Sequence, residues 1–175
     1  MSFLRYLSGI PSARDDAGDT ATVRRIAARL DALPPEDARF VAAFAYVLAR
    51  VASSDLVVAD SESAEMERLV GEVGKLPPAA AALAVEIAKS QARLLGATEN
   101  YVVTREFHRI STPAQRLQLL RCLFAVAAAD GSISSQESAE VIAIGEEIGF
   151  PREHVIAERA AWRDKLSVLQ KPTGK

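Results

Sequence analysis

Four carboxylates in two identically spaced pairs have the clearest capacity for chemistry in this chain: Asp55 with Glu62, and Asp130 with Glu137. In each pair an Asp closes an apolar segment, and a Glu seven residues later (55 to 62, 130 to 137) opens the next. Both pairs lie in a stretch that occurs twice, DLVVADSESAE from Asp55 and DGSISSQESAE from Asp130, at an offset of 75 residues (55 to 130). Ser63-Ala64-Glu65 returns as Ser138-Ala139-Glu140, and upstream Leu48 and Val51-Ala52 return as Leu123 and Val126-Ala127. Grouped carboxylates repel one another unless a cation lies among them. Two copies facing each other would form an oxygen-rich cage for a hard divalent ion, Ca²⁺, Mg²⁺ or Mn²⁺. The motif offers none of the sulfur or imidazole that zinc prefers.

Neither copy is a complete calcium hand. With Glu137 as the twelfth loop residue, Asp130, Gly131 and Ile133 fall where a hand has an oxygen ligand, the sharp-turn glycine and its apolar residue. The first and third positions fall on Val126 and Ala128, which carry no side-chain oxygen. In the first copy Leu56 stands at the glycine position. Each copy is therefore a half-site: one Asp, one Glu and a backbone carbonyl at Val57 or Ser132. A purely structural reading competes with it. Ser134-x-x-Glu137 has the form of a capping box, worth ~1 kcal/mol without any metal, and Asp130-Gly131 is a common turn pair. The first copy has Ala59 in place of Ser134 and so lacks the box, with Asp60 or Ser61 left to cap, yet it retains Asp55 and Glu62. Carboxylates kept where the local reason for them is weaker favour a shared role.

Other chemistry is sparse. His108 and His154 stand in no metal-ligand spacing, no glycine-rich phosphate loop exists, and neither a nucleophile nor an arginine accompanies the acidic pairs. This argues against an enzyme; a metal-dependent hydrolase using the same carboxylates is the weakest alternative. Cys122, the single cysteine, sits in an apolar run and reads as a buried structural thiol. Glu146-Glu147 and Glu65 with Glu67 read as solvated helix faces, and Trp162 as core. A formal net charge of −2 over 175 residues gives no basic stripe for nucleic acid. The N-terminus lacks the apolar core of a signal peptide and no run is long enough to span a membrane, so a cytoplasmic chain is expected. Phe3, Leu4, Tyr6 and Leu7 offer either peripheral membrane attachment or docking on the protein itself. No small-molecule substrate is evident, and a protein partner is expected.

The elements that must position the carboxylates are all helical. Bulky apolar residues recur at three and four, as in Phe40, Phe44, Val47, Leu48 and Val51, which share one face. The same spacing predicts helices over 20–33, 36–54, 61–76, 79–95, 99–110, 113–129, 135–148 and 152–169. Pro34-Pro35, Pro77-Pro78, Thr112-Pro113, Gly96 and Gly149 punctuate them. No segment alternates as a strand does. The expected architecture is an all-α, compact bundle of seven or eight helices with an internal pseudo-two-fold repeat. A single domain is expected over 20–169, after a flexible or peripheral lead-in at 1–19 and before a disordered tail at 170–175.

A helix ending in Ala-Ala-Asp-Gly, followed by an apolar residue, Ser, and a Glu opening the next helix (AAADGSIS…E), resembles the TerB-like tellurite-resistance family. It also resembles the helical domain of certain membrane-anchored DnaJ-type co-chaperones. The resemblance covers residues 20 to 167. It implies a seven- or eight-helix bundle, an acidic metal site and a role in stress and tellurite resistance. Asp130 and Glu137 match the family motif, and Asp55 and Glu62 match its first copy. Leu56-Val57 departs from the polar, Gly-containing turn expected there. A co-chaperone-like interaction module without metal is the alternative that the resemblance leaves open.

Overall fold

The computed structural model describes residues 21–52, 60–92 and 97–170, with side chains described for 24–51, 63–90 and 102–170. Eight α-helices follow one another among these residues: α1 (Ala21–Asp31), α2 (Pro35–Ala52), α3 (Asp60–Glu72), α4 (Pro78–Ala92), α5 (Ala97–Ile110), α6 (Pro113–Ala127), α7 (Ser135–Glu147) and α8 (Arg152–Ala160). Two 3-10 turns, Arg163–Lys165 and Ser167–Leu169, follow α8. The described residues contain no strand, only an isolated parallel bridge between Ile133 and Leu166. The architecture is an all-α bundle. The lead-in at 1–19, Asp55 and the tail beyond Gln170 lie outside the described residues.

Helix α2 is the centre. Every residue from Val41 to Ala49 is buried, and the helix touches α1, α4, α5, α6 and α7. Its sequence spacing marks one apolar face; the structure buries the opposite side as well, because alanines there (Ala42, Ala43, Ala45, Ala49) allow neighbouring backbones to approach closely. An all-round apolar helix belongs in an interior. Phe40 and Phe44 of α2 meet Phe107 of α5, with ring centroids 5.5 and 6.3 Å from that of Phe107, a spacing typical of favourable tilted aromatic pairs.

Helices α3 and α7 open on the duplicated stretch. Each is 13 residues long, and their first residues, Asp60 and Ser135, stand in the 75-residue register. Each leads into a helical hairpin, α3–α4 and α7–α8. The last helix departs from its sequence pattern, which runs on to Leu169. Instead α8 stops at Ala160. Beyond it, the Lys165 carbonyl accepts from the Ile133 N–H at 2.7 Å and the Ser167 N–H donates to the Ile133 carbonyl at 2.9 Å. A continuing helix would spend those backbone groups on itself. The long-range pairing buries Leu166, whereas Ile156 and Leu169, which helical spacing over 152–169 would place with it, are about half exposed.

The α7–α8 crossing is set by Gly145. A Cβ built there would lie 2.6 Å from Val155 Cγ2, and Val155 is fully buried. Gly145→Ala is expected to destabilise by about 1–3 kcal/mol despite its better helix propensity, because the core is already full. Combining it with Val155→Ala should cost less than the sum of the two single changes. Urea unfolding of the four proteins measures this coupling; additive values would show that the contact does not limit the crossing.

Candidate functional site

The second acidic pair sits where α6 hands over to α7. Helix α6 ends at Ala127, and Asp130 follows on an exposed turn. Gly131 turns the chain at a φ of 98°, a conformation L side chains rarely adopt. The Ser132 N–H donates to Asp130 Oδ1 at 3.0 Å, a side-chain turn of the Asx type. Ile133 is buried and held by the backbone of Lys165 and Ser167. Ser134 then caps α7: its Oγ accepts from the Glu137 N–H at 3.1 Å, while Glu137 Oε2 accepts from the Ser134 N–H at 2.8 Å. The capping box read from Ser134-x-x-Glu137 is present. From the C-terminal side, Gln170 Nε2 donates to the Gly131 carbonyl at 3.0 Å. Turn, box and C-terminal clamp together hold one loop in one shape.

Of the four candidate residues, Asp130 and Glu137 are therefore described in full. Asp55 lies outside the described residues, and of Glu62 only the backbone, in the first turn of α3, is described. Among the described residues no three of His, Cys, Asp and Glu group as metal ligands. The described half-site nevertheless has the chemistry of a hard-cation ligand set. Asp130 and Glu137 each commit one oxygen to a main-chain N–H, and the other oxygen of each has no hydrogen bond among the described residues.

A second polar cluster was not legible as such in the sequence. Arg50, whose side chain is 6% exposed, lies near the C-terminal end of α2 and reaches α7. Its Nε donates to Glu140 Oε1 at 2.8 Å, and its Nη1 donates to Glu147 Oε2 at 2.6 Å. The fully buried Thr104 of α5 donates its hydroxyl to the same Glu147 oxygen at 2.6 Å. Burial works against the Arg50 charge, but the hydrogen bond it donates to Glu147 and the charges of Glu140 and Glu147 hold its pKa above the ordinary arginine value. Glu147 is thus no solvated-face residue, in contrast to the reading from spacing. The available signal was the repeat: Glu65 and Glu72 return as Glu140 and Glu147. In α3 the first pair is bridged by Arg68 of its own helix. The second has Ala143 in the place of Arg68, and its cation comes from α2.

Cys122 is fully buried, and burial pushes its thiol up to about 12. The structural reading of this residue is correct. Trp162 is half-buried against the core, and His154 stacks on Phe150 at 4.9 Å.

Two outcomes follow. Arg50→Met should cost about 2–4 kcal/mol in chemical denaturation. Losing one partner of a buried ion pair strands the other, and here Glu140 and Glu147 keep some access to water, which softens the loss. Cys122 should react with a thiol reagent only at the rate of global unfolding, so its labelling should speed up in step with added urea; fast labelling without urea would contradict its burial.

The chain matches the family described as tellurite resistance protein TerB over residues 40–160. No curated protein and no solved structure matches it. The match spans well over half of the 175 residues and takes in Asp55, Glu62, Asp130 and Glu137. With the all-α bundle and the AAADGSIS loop held between α6 and α7, this shows that the chain belongs to the TerB family of tellurite resistance proteins.

Proposed function

We propose that this protein is a non-enzymatic, cytoplasmic TerB-family domain that serves stress and tellurite resistance through an acidic divalent-cation site. Asp130 and Glu137 supply one half of the site, and Asp55 and Glu62 supply the other. The observation that carries the reading is the pinning of Asp130 and Glu137. Each carboxylate is oriented by a main-chain N–H, on a loop clamped by Lys165, Ser167 and Gln170, and each keeps one oxygen for a ligand. Such preorientation lowers the ordering cost of binding. Oxygen-only ligands suit Ca²⁺, Mg²⁺ or Mn²⁺. Two carboxylates are too few for a cage, so the second half-site is required. Direct thiol reduction of tellurite has no support, since the single cysteine is buried and held protonated.

A second reading draws on the same hydrogen bonds. The capping box and the Asx turn already give Glu137 and Asp130 structural work, which suits a co-chaperone-like interaction module that needs no ion.

Calorimetric titration with CaCl₂, MgCl₂ and MnCl₂ separates the two. Saturable binding of at least one ion, lost in the Asp55→Asn/Asp130→Asn variant, is the expected result. At an ion concentration about a hundred times Kd, stability should rise by about 2.7 kcal/mol, reversed by a chelator. Absence of binding, or binding indifferent to the double substitution, would leave the interaction module as the function. The Asp130→Asn change preserves the turn, because an Asn side chain accepts the same main-chain hydrogen bond, so the variant should stay folded.

A further inference from the structure

A groove of about 450 Å³ lies between α7, α8 and the C-terminal turns, outside both acidic pairs. Its size is within the roughly 300–1,000 Å³ range of specific ligand sites. Ser138 and Ile142 line it from α7, Arg152 and Arg159 from α8, and Leu166 and Val168 from the terminal segment.

Ser138 offers the groove a hydroxyl that no described residue uses. It is only 7% exposed, it lines the groove, and among the described residues its hydroxyl has no hydrogen-bond partner. The hydroxyl opens onto the groove, where a ligand oxygen could take the place of water on it. The equivalent residue in the 75-residue register is Ser63, whose Oγ accepts from Lys89 Nζ at 2.5 Å. Lys89 comes from α4, a helix of 15 residues. Its counterpart α8 stops after 9 residues, because the following backbone is drawn away to Ile133. The second hairpin thus lacks the stretch of helix that satisfies the serine in the first.

The charges around Ser138 define what fits. Arg152 is balanced by Glu146 at 3.2 Å. Arg159, four residues beyond the buried Val155 that packs at the crossing, pairs with no carboxylate among the described residues. The first turn of α7, with Ser134 and Ser135 on the groove wall, adds the positive end of a helix. Beside this polar end the surface is aliphatic, with Val168 67% exposed.

We propose that this groove binds a protein segment presenting a carboxylate beside a bulky aliphatic side chain. The carboxylate meets Arg159 and the Ser138 hydroxyl, and the aliphatic group covers Ile142, Leu166 and Val168. Charge complementarity at one end and uncovered aliphatic surface at the other select this chemistry, in the manner of carboxylate capture by peptide-recognition sites.

The test is an amide-shift NMR titration of the full chain with N-acetyl-leucine, which joins the two features in one probe. Saturable shifts are expected in residues 135–142 and 166–169. N-acetyl-leucinamide, without the charge, and acetate, without the aliphatic group, should each bind at least about tenfold more weakly. Arg159→Gln should weaken binding by about tenfold, while Arg163→Gln and Asp130→Asn leave it unchanged. Unaltered thermal melting of each variant guards against misfolding. Equal binding of the leucinamide, or of acetate or inorganic phosphate, would overturn the proposal. So would shifts lying elsewhere, or an Arg159→Gln variant that binds normally. Tighter binding of octanoate than of N-acetyl-leucine would replace the protein segment with a small amphiphilic acid.

Discussion

The complete burial of α2 is the constraint on which the rest of the structure depends. A helix without a solvent face along Val41–Ala49 must be enclosed, and α1, α4, α5, α6 and α7 are the elements that enclose it. Arg50 follows immediately after this apolar stretch, so its guanidinium cannot easily reach water. Glu140 and Glu147 of α7, with Thr104 of α5 holding Glu147, neutralise it in place. The ion pairs therefore do more than contribute energy: they fix the rotation of α7 relative to α2. With α7 set in this way, the loop that feeds it, carrying Asp130 and Ser134, has a fixed point of attachment.

That loop combines local and distant control. The Asx turn at Asp130 and the capping box at Ser134 and Glu137 are interactions between residues two or three apart, and they would shape the segment in any surroundings. The clamp on Ile133 and Gly131 comes from residues more than thirty positions away, at Lys165, Ser167 and Gln170. Ending α8 early has two consequences at once. It frees backbone to hold the acidic loop, and it opens the groove onto which Ser138 turns a hydroxyl with no partner among the described residues. The region around the second copy is thereby specialised relative to the first, where a longer α4 brings Lys89 to Ser63.

Much of the fold was legible in the residues. Proline and glycine positions located the helix boundaries to within a few residues, because their effects are local: a missing N–H, a positive φ, a preset φ at a helix start. The starts of α2, α4, α6 and α8 came through in this way, that of α7 through its capping box, and the burial of Cys122 through its apolar surroundings. Periodicity was less informative for α2. Alanine scores weakly in an apolar stripe, yet it is what allows two backbones to meet, so a helix enclosed on all sides looked amphipathic. The role of Glu147 was hidden for a similar reason. A Glu in the last turn of a helix looks solvated until the helix carrying Arg50, 97 residues earlier in sequence, is laid against it.

The sequence by itself determined the helical class, the family, the identity of the acidic residues and the local hydrogen bonds of Asp130 and Glu137. All of these rest on backbone preferences and contacts a few residues apart. Only the tertiary structure decided that α8 stops at Ala160, that Arg50 is shared between Glu140 and Glu147, and that Ser138 faces a groove beside Arg159. Each is a competition between a local preference and a distant partner. Its outcome depends on which groups packing removes from water, and no short window of residues contains that information.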